Sequence, residues 1–549
     1  MVRFFTYLKK VRPFVHKSRW KIVTTISMNL LIVGLSLLYP IMNKTLIDEI
    51  ILQSQWQRLP MFIIQLSCLY ISTIALSLIS NRLFATYTEK IWSDLREELY
   101  RRILMQRIRV RRHFTDSDIL QRISQDSSYV HSLHAYYMDK ILINCIKIIG
   151  TSILIFWLSV PLALITCISV PIFFILMKYF SKKFNYEVAE IRRLNVLLRG
   201  NLLNTLSFLT TIKANNLEPH FIDGFANDNE KTLASQVRTE HSGYLLRSII
   251  SFSTNINQLL VIVVGAILIY NGSITAGVLI AFLGYTMNIY SPFIVISDSL
   301  KDLNSAYTAI DRYIEAYEFT GENKEALTAG DAISKIQSVA FEHVTFGYDT
   351  ELIFQDLSFQ ANRGEMILLK GRTGVGKSTL AKLLLRFYDP SQGTIYMNGK
   401  NIDTYALADV RKEVCWISQE QSFIDGTIGE YFRTFEPFSD EQIREALSKV
   451  NLVELDTKLE EGQTILDIEI DREGSTLSGG QRQRLMLARL FLLEPSLIFL
   501  DEPFNGIDEK TRAFIWEHIY SHCQDKILFV VDHGTFFDQM ANQKILIER

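Results

Sequence analysis

The sequence predicts two parts of different class: an α-helical membrane domain of six transmembrane helices with long cytoplasmic extensions, then an α/β P-loop domain. Three observations carry that reading. Stretches without charge, each long enough to span a bilayer, recur through the first ~300 residues. A glycine-rich loop from Gly371 to Ser378 stands between the apolar run "MILLK" and a helical pattern. A second apolar run, "LIFLDE" at Leu497–Glu502, ends in two adjacent carboxylates.

The chain has 549 residues, which suggests more than one domain. The net charge of −2 gives no electrostatic reason to expect nucleic acid as a partner. Hydrophobic residues make up 48% and concentrate in the N-terminal part, so the remainder reads as a soluble domain. The cysteines, Cys68, Cys145, Cys167, Cys415 and Cys523, have no metal or redox spacing and read as reduced core or lipid-facing residues.

The N-terminal segment "MVRFFTYLKKVRPFV" mixes aromatics with cations. It fits either a short amphipathic helix lying along the membrane surface or an unstructured cationic tail. The apolar run that follows is too long for a secretory signal and has no small-residue cleavage pattern. Ile22–Asn43 and Leu59–Asn81 carry no charge, and each suits one span. Ile148–Met177 is longer. Extended back past Lys147 to about Met138, it gives two helices joined at "SVP" (Ser159–Pro161). Ser248–Ser297 contains "YNGS" (Tyr270–Ser273) and reads as two more, joined by an Asn-Gly turn. The predicted spans are therefore 20–43, 59–81, 138–158, 161–180, 246–270 and 273–297.

Between the second and third spans lie Arg96, Arg101, Arg102, Arg107, Arg109, Arg111 and Arg112, while "SVP" and "YNGS" carry no charge. The positive-inside rule places the basic connections, the N-terminus and the C-terminal domain in the cytoplasm, with the chain in the plasma (inner) membrane. The connections Arg82–Tyr137 and Lys178–Leu246 are helical in pattern, and their tips are expected at Arg112–Leu120 and Ile212–Phe221. Residues 1–320 thus form the membrane domain, the polar stretch 321–335 a linker and 336–549 the nucleotide-binding domain, which opens with the strand-like "IQSVAFEHVTFGY".

The loop Gly371-Arg372-Thr373-Gly374-Val375-Gly376-Lys377-Ser378 lets backbone N–H groups wrap phosphates. Lys377 supplies charge to the terminal phosphates, and Ser378 is a Mg2+ ligand, followed by Thr379 in the same helix. Asp501 is a second metal candidate, and Glu502 is placed to orient or deprotonate an attacking water. "LSGGQ" (Leu477–Gln481), just before "LIFLDE", resembles the signature of ABC transporter ATPases. Six spans followed by one ATPase domain resemble an exporter-type half-transporter over essentially the whole chain.

The resemblance implies the remaining roles. Ser478, Gly479, Gly480 and Gln481 would cap an ATP held by the phosphate loop of a partner domain, so the chain must pair: with a second copy, or with a different chain. Tyr348 resembles the aromatic that stacks on adenine. Gln419 resembles the magnesium-sensing glutamine, His533 the switch histidine and Asp508 the D-loop aspartate. "FTDSDILQRISQD" and "TTIKANN" resemble the two coupling segments. ATP and Mg2+ are the implied cofactors, and alternating access driven by ATP hydrolysis the implied mechanism. Two departures bear on how hydrolysis at the two sites is coupled: the D-loop reads Asn505-Gly506-Ile507-Asp508, and Gly534 follows the switch histidine where relatives carry Arg.

For the cargo, the spans offer Asn29, Asn144, Lys147, Asn255, Asn257, Gln258, Tyr285 and Asn288, and almost no carboxylates. Neutral polar and aromatic groups suit an amphiphilic cargo, and a small peptide of bacteriocin type is the first reading. A lipid or hydrophobic drug is the alternative, and an ATP-gated channel or regulator is a third. Lys147 either contacts cargo, snorkels, or pairs with Asp139. Exporters that also cut leader peptides carry an N-terminal cysteine protease domain. The first cysteine here, Cys68, falls inside a span, so that activity is not expected.

Overall fold

The computed structural model describes residues 2–108, 114–133, 138–322, 327–348, 351–372, 374–419, 422–454, 463–472 and 474–547. The chain divides into two compact units, Met1–Arg101 with Asp116–Glu318 and Arg102–Thr115 with Phe319–Arg549.

The first unit is helical. In order it contains α1 (Val2–Val15), α2 (Arg19–Ser36), α3 (Tyr39–Thr45), α4 (Leu59–Leu104), α5 (Asp116–Gln121), α6 (Ser127–Ser132), α7 (Met138–Leu158), α8 (Val160–Ser207), α9 (Leu209–Ala214), α10 (Glu218–Tyr270) and α11 (Ala276–Glu322). Among the described residues, six stretches are long and apolar enough to cross a membrane: Phe4–Ile51, Trp56–Leu104, Asp139–Leu158, Val160–Ser207, Glu218–Tyr270 and Ala276–Ile296. Ser159 alone separates α7 from α8, with Pro161 in the first helical turn, where its missing N–H costs nothing. At ~1.5 Å per residue, α4, α8 and α10 far exceed a bilayer's thickness. Of the two expected tips, Arg112 and His113 lie outside the described residues. The second is a turn between α9 and α10, closed by Lys213 and Glu218 at 3.1 Å.

The first span is not the continuous helix that its hydropathy predicts. α2 stops at Ser36 and α3 starts at Tyr39, because Pro40 cannot donate to the preceding turn. The Leu37 carbonyl beside this break accepts the Tyr285 hydroxyl of α11, and Gly284 packs on Pro40. Backbone polarity freed within a span is thus satisfied by a neighbouring helix.

Several polar residues expected to line a cavity are likewise used between helices. Asn29 Nδ2 donates to both carboxylate oxygens of Asp139, at 2.9 and 3.1 Å, and Asn29 Oδ1 accepts from Ser80 at 2.8 Å. Asp139 therefore partners Asn29. Among the described residues Lys147 has no ion pair, which removes the Asp139–Lys147 alternative. Ser169 Oγ joins Asn257 Oδ1 at 2.9 Å and Tyr290 at 2.8 Å inside the core of Phe173, Val261, Phe282 and Tyr285. Asn144 bonds within its own helix, to the Lys140 carbonyl at 2.6 Å. The side chain of Asn288 lies outside the described residues. No cysteine is paired: Cys415 and Cys523 are buried, and Cys68, Cys145 and Cys167 lie on the surfaces of spans.

The N-terminal segment is a helix. Tyr7, Val11 and Val15 are buried, Tyr7 donates to Asp311, and Lys10 meets the same carboxylate at 2.9 Å. Nearby, Arg312 clamps Asp126 with two bonds of 2.8 and 2.7 Å, and Arg122 donates to the Arg312 carbonyl at 2.7 Å.

The second unit opens with β1 (Ser338–Tyr348), β2 (Glu351–Asn362), β3 (Met366–Lys370), α12 (Lys377–Leu384), β4 (Gln392–Met397), β5 (Lys400–Asn401), α13 (Leu407–Glu413) and β6 (Val414–Ile417). β7 (Gly426–Thr427), α14 (Ile428–Arg433), α15 (Asp440–Lys449), β8 (Glu469–Ile470), α16 (Gly479–Ala488) and α17 (Leu490–Leu493) follow. It closes with β9 (Leu497–Asp501), α18 (Glu509–Cys523), β10 (Ile527–Val531) and β11 (Gln543–Leu546). An antiparallel sheet runs β2-β1-β4-β5 and a parallel sheet β11-β3-β10-β9-β6. The inner parallel strands β3, β9 and β10 are largely apolar because both of their faces are covered, whereas the edge strand β11 exposes Gln543, Lys544 and Leu546. Leu368, Ile498, Leu500 and Val530 enter one core, while Leu369, Leu497, Phe499 and Phe529 enter the other. The segment preceding β1 is tied to this unit where Asp331 bridges Tyr405.

Arg312→Met would strand the carboxylate of Asp126, whose side chain is 1% exposed. A loss of ~2–3 kcal/mol is expected, below the range for a fully buried pair because the guanidinium is half-exposed. Lys10→Met, which breaks a half-exposed pair, is expected to cost no more than ~1 kcal/mol. The midpoint of thermal unfolding of the solubilised chain checks both.

Candidate nucleotide site

The site is assembled from the carboxyl ends of neighbouring parallel strands, the place where α/β sheets bind ligands. β3 delivers the phosphate loop. At Gly376, φ is +100° and a Cβ would lie 2.1 Å from Ile353 Cγ2, so only glycine fits. The loop turns directly into α12, whose first N–H groups and dipole face an incoming anion. Lys377 Nζ donates to the carbonyls of Gly371 and Arg372 at 2.8 and 3.1 Å and lies 3.3 Å from His533 Nε2. Burial pushes its pKa down, while Asp501 and Glu502 pull it back up. Thr373 lies outside the described residues. Gly374 has φ +84° and Val375 is buried.

β9 delivers the paired carboxylates. Ser378 Oγ donates to Asp501, which is 4% exposed. Burial raises the Asp501 pKa, the Ser378 bond opposes that rise, and the charge of Glu502 adds to it. Because folding raises this carboxyl above its ordinary value, its ionisation at neutral pH costs stability, which a divalent cation at the site would offset.

Glu502 has left the strand with φ +48°, a conformation that costs a non-glycine residue ~1–3 kcal/mol. Its N–H is anchored on the Val531 carbonyl at 2.9 Å. Its two oxygens are shared. Oε2 accepts from Gln419 Nε2 at 3.0 Å, and Oε1 lies 3.2 Å from His533 Nε2. Gln419, Glu502, His533 and Lys377, far apart in sequence, thus form one connected polar chain beside the Ser378–Asp501 pair. A strained acid held between an amide and an imidazole is positioned to direct a water.

The remaining residues divide. Tyr348, at the end of β1, bonds Thr379 Oγ1 at 3.2 Å and meets Tyr388 edge-on at 5.1 Å. Ser478 and Gln481 form a capping box at the start of α16, with bonds of 2.8 and 3.3 Å. Gly480 is pressed against the D-loop: a Cβ there would lie 2.7 Å from the Gly506 carbonyl. Asp508 caps α18 by accepting from the Thr511 N–H at 3.0 Å. Among the described residues, no hydrogen bond links Ser478–Gln481 to the phosphate loop.

A Mg2+ ion fits this donor set. Ser378 and Asp501 present adjacent oxygens, with Gln419 close to the neighbouring carboxylate. A magnesium held by few protein groups plus phosphates needs no larger acidic cluster. Bound there, it would neutralise phosphate charge.

One residue escaped the sequence reading. Lys370 closes the apolar run "MILLK", donates to the Gly534 carbonyl and pairs with Asp538 at 3.2 Å. It holds the segment that carries His533, and a cation ending an apolar strand was the available signal.

Residues 22–293 match the family described as ABC transporter transmembrane region, and residues 354–505 match ABC transporter. Together these cover more than half of the chain. The chain belongs to the ABC transporter family. It is 27% identical over 98% of its length to a Bacillus subtilis (strain 168) protein provisionally named multidrug export ATP-binding/permease protein YgaD, covering 94% of that protein. It is 26% identical over 99% of its length to a Staphylococcus aureus (strain NCTC 8325 / PS 47) protein with the same provisional description, again covering 94%. Its fold is similar to that of a bacterial Atm1-family ABC exporter solved with ATP bound, with TM-score 0.76, 21% identity and coverage of 97% and 94% of the two chains. The transporter is a multi-pass membrane protein with a fused ATPase domain, and it couples ATP hydrolysis to transport.

Glu502→Gln is expected to slow phosphate release by at least ~100-fold while ATP binding persists. Lys377→Ala is expected to weaken ATP binding itself. Lys370→Met should lower kcat with KM unchanged, and Lys370→Arg should restore it. Equilibrium nucleotide binding and steady-state hydrolysis separate these outcomes.

Proposed function

We propose that this transporter is an ATP-driven exporter of an amphiphilic cargo, working as a head-to-tail pair of chains by alternating access. The observation that carries the reading is the convergence of Lys377, Ser378, Asp501, Glu502 and His533 in a chain with six spans. Lys377 binds the terminal phosphates, Ser378 and Asp501 hold Mg2+, Glu502 orients the water, and His533 and Gln419 hold Glu502 in place. Tyr348 takes the adenine. Ser478, Gly479 and Gly480 close over the ATP of the other chain, with Asp508 at the same boundary. Pairing is supported by the lack of any hydrogen bond from Ser478–Gln481 to its own phosphate loop among the described residues. A second copy is the simplest partner, since one chain carries every catalytic element.

The arginine-rich connections support a plasma-membrane placement with the N-terminus and ATPase domain cytoplasmic. Closure of the ATPase pair on ATP biases a two-state membrane domain, and hydrolysis resets it.

A hydrophobic drug or lipid is the cargo we favour. Asn29 and Tyr285 are occupied between helices, and Asn257 accepts from Ser169 through Oδ1, which removes much of the polar lining that pointed to a peptide. The relatives' names also favour multidrug export. Export of a small peptide is the second reading, supported by Asn255 and Gln258, which keep some exposure.

Cells carrying the native transporter should be compared with cells carrying Glu502→Gln, profiling medium, membranes and accumulated dyes by mass spectrometry and fluorescence. Accumulation of apolar compounds or altered lipid distribution in the mutant alone is expected. A peptide retained only in the mutant would replace the drug or lipid cargo with a peptide. Identical profiles would refute export.

A further inference from the structure

The helix α1 has two apolar faces, and the described residues cover one of them. Tyr7, Val11 and Val15 are buried, and Phe14 packs edge-on against Tyr317 of α11 at 4.9 Å. The other face forms, with the start of α2, a groove of about 380 Å³. Its floor includes Phe5, Leu8, Ile22 and Val23, and its rim carries Lys9, Arg12 and Arg19. Phe5 and Val23 are 56% and 53% exposed, so none of the described residues fills the groove.

The charges there are also unmatched. Lys10, on the covered face, is neutralised by Asp311 at 2.9 Å. Lys9, Arg12 and Arg19 take part in no ion pair among the described residues, and no carboxylate lines the groove. Arg19 Nη1 lies 3.3 Å from His16 Nε2 instead. The floor runs into the first membrane-crossing stretch, Phe4–Ile51, and Trp20 beside it is 72% exposed, as suits a residue at a membrane interface. An apolar floor continuous with a span, under a cationic rim, is complementary to one molecule already present at that depth.

We propose that this groove is a binding site for one anionic phospholipid of the leaflet nearest the N-terminus. Arg12 and Arg19 hold its headgroup phosphate, with Lys9 adding charge, and Phe5, Ile22 and Val23 carry an acyl chain. Arginine suits a phosphate because its planar fork donates two parallel bonds.

The test uses the full chain in nanodiscs of phosphatidylcholine with increasing phosphatidylglycerol of matched acyl chains. Lipid retained after gentle extraction is counted by native mass spectrometry. The native protein should keep phosphatidylglycerol in preference to phosphatidylcholine. The double variant Arg12→Gln/Arg19→Gln should lose that preference by roughly thirtyfold, since each basic group near a membrane surface contributes ~1 kcal/mol. The double variant Arg12→Lys/Arg19→Lys, which keeps the charge, should retain part of it and guards against misfolding as the cause. Equal retention of both lipids by the native protein, or an unchanged preference in the glutamine variant, would overturn the proposal. Displacement of the lipid by millimolar inorganic phosphate would also overturn it, by showing a site for free anion rather than lipid.

Discussion

The contact between Lys377, His533 and Glu502 depends on a sheet that cannot shift. Each residue follows a different strand of one parallel layer, and His533 Nε2 stands 3.3 Å from Lys377 Nζ and 3.2 Å from Glu502 Oε1. β10 pairs with both β3 and β9, holding Val531 opposite Leu369 and Asp501. Slipping any strand by one residue would exchange its two apolar faces and separate the carboxylates from the phosphate loop. The strands resist this because they are buried on both sides, and the strained φ of Glu502 is sustained by the same packing. The energetic cost of the site, a desolvated lysine near the desolvated Asp501 carboxyl, is carried by the apolar cores around it.

The membrane unit follows a different rule. A span has no water to satisfy polar groups, so a partner within the protein is favoured strongly. The Leu37 carbonyl freed near Pro40 goes to Tyr285, Asp139 to Asn29 and Ser169 to Asn257. These bonds link α2 with α4 and α7, and α8 with α10 and α11, so they hold helices in register. A polar residue read along a hydropathy plot has no direction, which is why such residues suggested a cargo surface. Their partners come from helices remote in sequence.

The departures in the ATPase unit have a local physical meaning. Gly506 has φ +76°, and its carbonyl approaches Gly480 of the signature too closely for any side chain there. The D-loop and the signature helix are therefore fitted to each other within one chain. The Gly534 carbonyl accepts from Lys370, so the segment behind His533 is held from the end of β3.

Much was legible in the sequence because it is local. Four uncharged runs that divide into six spans, the turn at Ser159–Pro161, the Gly371–Ser378 loop and the apolar strands follow from transfer free energy and from proline and glycine stereochemistry. Each of these acts over a few neighbouring residues. The carboxylates at the end of "LIFLDE" were legible for the same reason. Only the tertiary structure decided which polar side chains meet: Asp139 with Asn29 rather than Lys147, Lys370 with Gly534, Glu502 with both Gln419 and His533. It also placed the break at Leu37–Leu38 against Tyr285 and left one face of α1 uncovered. A hydrogen bond or an ion pair depends on the direction and separation of two groups from distant parts of the chain. No property of either residue alone specifies them.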